Sequence, residues 1–424
     1  MNDSIAVKSQ APAGAKSSLY VPALELTQGQ PAPIAANGGR HYAAFDRNGD
    51  AGTGAAIEAA LQQIADGKGQ DATRLLETAP PGPIQTRWGV GFREYDECVA
   101  YIRAQGLSAP EGGVVLPLRY SINENPSYSV VPSNGLWRDP ARADDAAALR
   151  QEENDNRSRS LYFPHVLRDA RRIGEYHPGL RPDSPECMDR LGVSLAHMPA
   201  TACRNFYDAH EVERVFYPEI EKLLLDFFPG ATDALVYNHD VFDKQYTGDR
   251  TENQDDKNPG INENYVNMVH NDLNDNSGRV RLRELLTKNL RNFGRTQNYT
   301  EAEADAKMAR RFVSINLAKP FETIRQWPFV LCAWPSFADQ PYINNYRIYD
   351  DRVGETTRFT NRADHEWYWF PEQQPHEISM LKCYDSVTDG SVSRWSFHTA
   401  CYDWTAPPGV PLRRNIVVRS YVFF

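Results

Sequence analysis

SRWSFHTACYDWTAPPGVPLRRNIVVRSYVFF, residues 393–424, closes the chain with two β-type runs separated by turn residues. The first run carries His398; fifteen residues later comes Arg413, followed by Asn415 and a strand that also holds Arg419. Successive side chains on an extended strand point to opposite faces, so Arg413, Asn415, Val417 and Arg419 share one face. An arginine turned into a β-barrel is costly unless an anion meets it, and the planar guanidinium fork matches a carboxylate. That anion is either a protein Asp or Glu or a bound carboxylate.

Working back from this stretch, the same texture recurs in ALVYNHDVF (234–242), NYVNMVHND (264–272), RFVSINLA (311–318), PFVLCAW (328–334), EWYWF (366–370) and EISMLKCY (377–384). With the two terminal runs these make about eight strands, which suits a jelly-roll or cupin-like barrel. We therefore expect an α+β protein with a double-stranded β-helix core over 206–424, flanking helices and a long N-terminal extension. AHEVERVFYPEIEKLLLDFFPGA (209–231) sets Val212, Val215, Phe216, Ile220, Leu223, Leu224 and Phe227 three and four apart, the pattern of an amphipathic helix lying on a sheet. RVRLRELLTKNLRNFG and EAEADAKMARR, near 278–310, read as a helical insertion over the barrel mouth, either a lid or plain packing.

The N-terminal portion carries less signal. Residues 1–40 are rich in Ala, Gly, Pro, Ser and Gln and read as disordered or surface-draped. Residues 41–205 read as a mainly helical and irregular extension packed on the core. Helices are expected over 55–67 and 94–106, each stopped by a glycine, with irregular proline-rich chain over 107–200 and a solvated charged segment at 141–160.

Among ten histidines, the one with a carboxylate two positions later that the strand pattern singles out is His270, in VHND (269–272). His270 and Asp272 can present an imidazole and a carboxylate to one metal, two members of a 2-His-1-carboxylate facial triad; a turn-forming Asn-Asp pair after a strand is the alternative. The third ligand must come from a returning strand. His376 sits in a polar turn and His365 starts a strand, whereas His398 lies inside one, so His398 ranks first. A triad of this kind suits iron(II) and leaves coordination positions for 2-oxoglutarate and O2, with the distal carboxylate of 2-oxoglutarate on Arg413 or Arg419. The same ligands could hold a hydrolytic zinc, and a non-catalytic cupin-like binding protein is a third reading.

Composition limits the partners. A formal net charge of −10 and a pI near 5.6, without a basic tract, disfavour nucleic acid. The start shows no leader pattern and no run of eighteen apolar residues occurs, so neither export nor a membrane span is expected. Six cysteines without a C-x-x-C pair suggest reduced thiols in a cytoplasm. A small-molecule substrate remains the expected partner.

The C-terminal half also resembles a known group, the CmcJ-like family of iron/2-oxoglutarate oxygenases, which includes fungal hydroxylase/desaturase and endoperoxide-forming relatives. The matching pieces are FYPEIEKLLLDFFPGATDALVYNHD, VHND, RRFVSINLAKP with QWPFVLC, EWYWFPEQQPHEISMLKCYDS, FHTACYD and RRNIVVRSYVFF. The resemblance implies His270, Asp272 and His398 as iron ligands and the Arg413/Arg419 strand, with Asn415, as the 2-oxoglutarate end. It also puts Asn316, Lys382 and Tyr384 in segments that line the cosubstrate or substrate pocket, and Trp367, Trp369 and Trp395 where they could form an apolar substrate wall or core. The implied activity is oxidation of a small specialised metabolite by hydroxylation, desaturation or cyclisation, releasing succinate and CO2. Asn415 stands where relatives carry serine, and Lys319 where many carry arginine.

Overall fold

The computed structural model describes residues 81–122, 127–130, 160–246, 261–262, 265–287, 298–348 and 353–424, with the pairs 21–22 and 42–43. Most of the 1–40 segment, the helix expected over 55–67 and the charged stretch 141–159 lie outside the described residues.

Eight strands make the core: β1 Asp233–Asp243, β2 His270–Asn271, β3 Phe312–Pro320, β4 Phe329–Cys332, β5 Trp367–Trp369, β6 Glu377–Asp385, β7 Phe397–Ala400 and β8 Arg414–Phe423. They pair antiparallel in the orders β1-β8-β3-β6 and β2-β7-β4-β5, the chain passing back and forth between the two sheets. This is the expected double-stranded β-helix.

Alternation along each strand decides what lies inside. On β3, Val313, Ile315 and Leu317 join an outer cluster with Ile416 and Val418 of β8, while Phe312 faces the interior. A helix covers that outer cluster. Asp208 accepts from the backbone N–H groups of His210 and Glu211 and starts it; a π-helical turn, Val212–Phe216, leads into Tyr217–Phe227. Val212, Phe216, Ile220 and Leu224 are fully buried on the sheet, whereas Val215, Leu223 and Phe227 are only partly covered. Each fully buried side chain contributes roughly 1.5–3 kcal/mol of hydrophobic stabilisation.

The insertion folds as two helices, Ser277–Thr287 and Glu301–Met308, the second started by a Thr300/Glu303 capping box. Leu282, Leu285, Leu286, Ala304 and Met308 join Phe312, Leu331, Tyr384 and Tyr421 in the interior cluster. Their apolar faces therefore pack onto the space between the sheets. Gly278 is required by proximity, since a Cβ there would lie 2.3 Å from Cδ2 of Tyr384.

The extension differs from its reading. Tyr95–Ala104 is the expected helix, but Val114–Ser121, Ser160–Asp169 and Val193–His197 are strands where irregular chain was expected. Val193–His197 pairs with β6, and Ser160–Asp169 pairs with both β5 and Val114–Ser121. The prolines that argued against strands, Pro117 and Pro164, stand opposite one another across that last ladder. The strands of that ladder continue the second sheet beyond β5, and Trp367 and Trp395 are buried in an apolar cluster that the two share, with Trp369 packed against it. That cluster is on the face away from His398, so the three tryptophans build core. The six cysteines are free and buried, and no helix among the described residues is long and apolar enough to cross a membrane.

Candidate metal centre

Strand register brings the two imidazoles together. β2 and β7 are antiparallel neighbours with His270 directly opposite His398, and the ring centroids are 4.1 Å apart. Asp272 follows just beyond the end of β2; its Oδ1 lies 3.5 Å from Nε2 of His270 and 3.8 Å from Nε2 of His398. One ligand atom from each of the three residues falls within 4.8 Å of the others.

Hydrogen bonding settles which atoms face the centre. Nδ1 of His270 lies 2.6 Å from the Met268 carbonyl, which can only accept, so Nδ1 carries the proton and Nε2 offers its lone pair. Burial, reinforced by the neighbouring His270, pushes the His398 imidazole down to about 3 and keeps it neutral. Burial alone would raise the Asp272 carboxyl. The neighbouring His270 and the charge of Arg419 outweigh it and hold Asp272 well below the usual carboxylate range. Two imidazole nitrogens and one carboxylate oxygen are a donor set suited to a divalent iron.

The other carboxylate oxygen is occupied. Oδ2 of Asp272 accepts from Nδ2 of Asn316 at 2.7 Å and from Nε of Arg419 at 3.4 Å. Arg419 also donates through Nη1 to Asp240 at 2.6 Å and Asn238 at 2.7 Å. Arg419 thus has protein carboxylates for partners, the first of the two alternatives open to an inward arginine.

Arg413 is placed differently. It is 4% exposed, and neither its Nε nor its Nη1 has a hydrogen-bond partner among the described residues. The guanidinium lies over the rings of Tyr265 at 4.7 Å, Phe329 at 5.7 Å and Phe242 at 5.9 Å. Burial pushes it down to about 10, and no carboxylate among the described residues relieves it. Asn415 beside it is 1% exposed, and both its side-chain amide atoms are unpartnered among the described residues. The Phe329 ring also lies 5.4 Å from His398, so one phenyl group bridges the imidazole and the guanidinium.

Lys382 and Tyr384 are elsewhere. The Lys382 amine donates to Asp385 at 2.8 Å and to Asp189 and the Ser393 carbonyl at 3.1 Å, an ion cluster shared with Arg311. Tyr384 stacks on Phe312 in the apolar interior, with ring centroids 5.7 Å apart. Lys319 donates to the Pro375 carbonyl. His365 bonds Tyr120 and Gln340, and His376 stacks on His197. Residues that the sequence reading did not single out are Asn238, Asp240, Tyr265 and Phe329. The alternation of Asn238 and Asp240 in ALVYNHDVF was the available signal.

A family model described as an oxidoreductase/YMDC permease-like domain matches residues 180–423, which include every residue of this centre. The chain belongs to that family. Curated relatives of this oxidoreductase-family chain include aspirochlorine biosynthesis protein N of Aspergillus oryzae, 27% identical over 134 residues, 31% of this chain and 56% of that protein. The hydroxylase/desaturase asaB of Aspergillus flavus is 24% identical over 140 residues, 30% of this chain and 62% of that protein. The alpha-ketoglutarate-dependent dioxygenase tstK of Talaromyces stipitatus is 24% identical over 116 residues, 27% of this chain and 42% of that protein. The matched stretch thus spans less than two thirds of each relative. Among solved structures, a variant of the iron and alpha-ketoglutarate-dependent endoperoxidase NvfI matches with a TM-score of 0.55 at 16% identity, covering 75% of this chain and 99% of that one. Unmodified NvfI matches with a TM-score of 0.52 at 17% identity, covering 73% and 98%. These likenesses are of fold.

Proposed function

We propose that this chain is an iron(II)- and 2-oxoglutarate-dependent dioxygenase that oxidises a small specialised metabolite, with His270, Asp272 and His398 holding the metal. The observation that carries the reading is the pairing of this donor set with a buried guanidinium that no carboxylate among the described residues neutralises. A zinc hydrolase would need the three ligands alone and leaves Arg413 without a purpose. The names of the curated relatives, a hydroxylase/desaturase and an alpha-ketoglutarate-dependent dioxygenase, point the same way.

When bound, iron(II) with 2-oxoglutarate and O2 supplies the oxidising power, and succinate and CO2 leave as products. The chain's own residues position and shield. Arg413, with Asn415 beside it, grips the distal carboxylate of the cosubstrate, and the rings of Tyr265, Phe242 and Phe329 exclude water from that ion pair. The Met268 carbonyl keeps the proton of His270 on Nδ1. Hydroxylation, desaturation and cyclisation all fit this arrangement. We infer a cytoplasmic setting, supported by six cysteines that are all free.

The test is anaerobic reconstitution with iron(II) and 2-oxoglutarate. A weak visible metal-to-ligand charge-transfer band and, on admitting O2, succinate formation are expected. Absence of both would sink the assignment, and turnover that persists without O2 would favour the hydrolase.

A further inference from the structure

Asn238 on β1, Arg419 on β8 and Asn316 on β3 are direct cross-strand partners, forming one row across three adjacent strands. The row depends on an irregularity. Between Arg419/Asn238 and Ser420/Val236 the register slips by one residue, leaving Tyr237 unpaired. A β-bulge of this kind reverses the phase of the strand beyond it. Leu235 and Tyr237 face the interior cluster, and after the bulge Asn238 and Asp240 reach the same Arg419. Without the extra residue, the strand phase would turn Asn238 and Asp240 to the outer face, where His239 bonds Tyr217 of the covering helix.

We propose that Asn238, Asp240, Arg419 and Asn316 are positioning residues that set the Asp272 carboxylate for the metal. Asp240 and Asn238 hold both contacts of Nη1 of Arg419, which leaves Nε directed at Oδ2 of Asp272. Asn316 donates to the same oxygen. With Oδ2 engaged by two donors, Oδ1 is the oxygen presented to the imidazole Nε2 atoms of His270 and His398. Arg419 carries a second consequence. Its charge offsets the two carboxylates Asp240 and Asp272, so its loss leaves both without their shared cation. This assignment separates the two arginines of β8 and its approach: Arg419 serves the metal's carboxylate, and Arg413 serves the cosubstrate.

The inference rests on the metal-binding reading above, and the experiment keeps the two apart. Full-length protein is titrated with cobalt(II) alone, followed by its visible d–d absorption, for the parent chain and for Asp272→Ala, Arg419→Met, Asn316→Ala and Arg413→Met. Changes behind a metal ligand weaken binding by roughly 10–100-fold, and Arg419→Met and Asn316→Ala should fall in that range. Arg413→Met should bind cobalt as the parent does. Arg419→Lys should recover part of the loss by restoring the charge without the fork. Parent-like cobalt affinity in Arg419→Met and Asn316→Ala, with Asp272→Ala impaired, overturns the positioning role while leaving the metal site intact. Equal affinity in the parent and Asp272→Ala defeats the metal-site reading itself and the positioning role with it. Should Arg419→Met fail to fold, Asn316→Ala decides, because it removes one donor to Oδ2 and leaves the Arg419–Asp240 pair in place.

Discussion

Replacing Arg413 by methionine should make the metal-free protein more stable and its cosubstrate binding much weaker. The guanidinium is buried with Nε and Nη1 unpartnered among the described residues, and burial pushes it from its ordinary 12.5 down to about 10. At about 1.36 kcal/mol for each pH unit, that is a charging penalty on the order of 3 kcal/mol carried by the ligand-free state. Methionine keeps the unbranched stem among Phe242, Tyr265 and Phe329 and removes the charge. Lost cation–π attraction takes back roughly 0.5–2 kcal/mol, so the net gain is about 1–2 kcal/mol in urea unfolding of the metal-free chain. Binding moves the other way. Truncating one member of a buried charged pair typically costs about 2–5 kcal/mol, which corresponds to a loss of about 30-fold or more in 2-oxoglutarate affinity. The affinity is read anaerobically from the charge-transfer band of the iron-loaded protein. A variant that is less stable than the parent, or that binds 2-oxoglutarate equally well, would refute the reasoning, because Arg413 would then be satisfied within the protein.

Three further outcomes follow from the same contacts. His270→Ala, Asp272→Ala and His398→Ala should each reduce cobalt(II) affinity by more than the roughly 10–100-fold loss expected behind a ligand, measured by titration. Burial lowers His165 to about 4 and His239 to about 3, so each stays neutral in the folded chain while its unfolded counterpart takes up a proton below about 6.5. Their contribution is therefore complete above pH 6.5 and is lost as pH falls toward 4; with one proton each taken up on unfolding, these two residues should account for roughly 2–3 kcal/mol of the stability lost between pH 6 and 5, and His165→Gln should flatten the slope. Gly278→Ala should destabilise by about 1–3 kcal/mol because its Cβ meets the Tyr384 ring at 2.3 Å, and Gly278→Ala with Tyr384→Leu should be less harmful than the single changes added together.

The fold was legible where apolar alternation was strong. β3, β6 and β8 are buried along nearly their whole length, and runs such as RFVSINLA and EISMLKCY announce that. The extension was harder to read, because Ser160–Asp169 and Val114–Ser121 carry prolines and the first of them gains a partner, β5, about two hundred residues away in sequence. Pairing at that separation leaves no local trace. The insertion's helices were legible as helices, but their packing on Phe312 and Tyr384 depends on which face meets the barrel.

Within the site, His270, Asp272 and His398 could be nominated because alternation and strand return are properties of sequence order. The division of labour between Arg413 and Arg419 could not. Arg419 on β8 and Arg413 just ahead of it share one face by sequence alternation, and each could have met a protein acid or a bound one. What separates them is the neighbouring strand: opposite Arg419 a single extra residue, Tyr237, swings Asn238 and Asp240 inward, whereas Arg413 is surrounded by the rings of Phe242, Tyr265 and Phe329. Strand phase can be read from a pattern of apolar residues, but a bulge inverts it at one position, and Asn238 and Asp240 on either side of His239 do not reveal which of them will turn in. The same one-residue event that hides the partners of Arg419 from the sequence gives it two of them, whereas Nε and Nη1 of Arg413 meet none among the described residues, which is why Arg413 is the arginine proposed to take an external carboxylate.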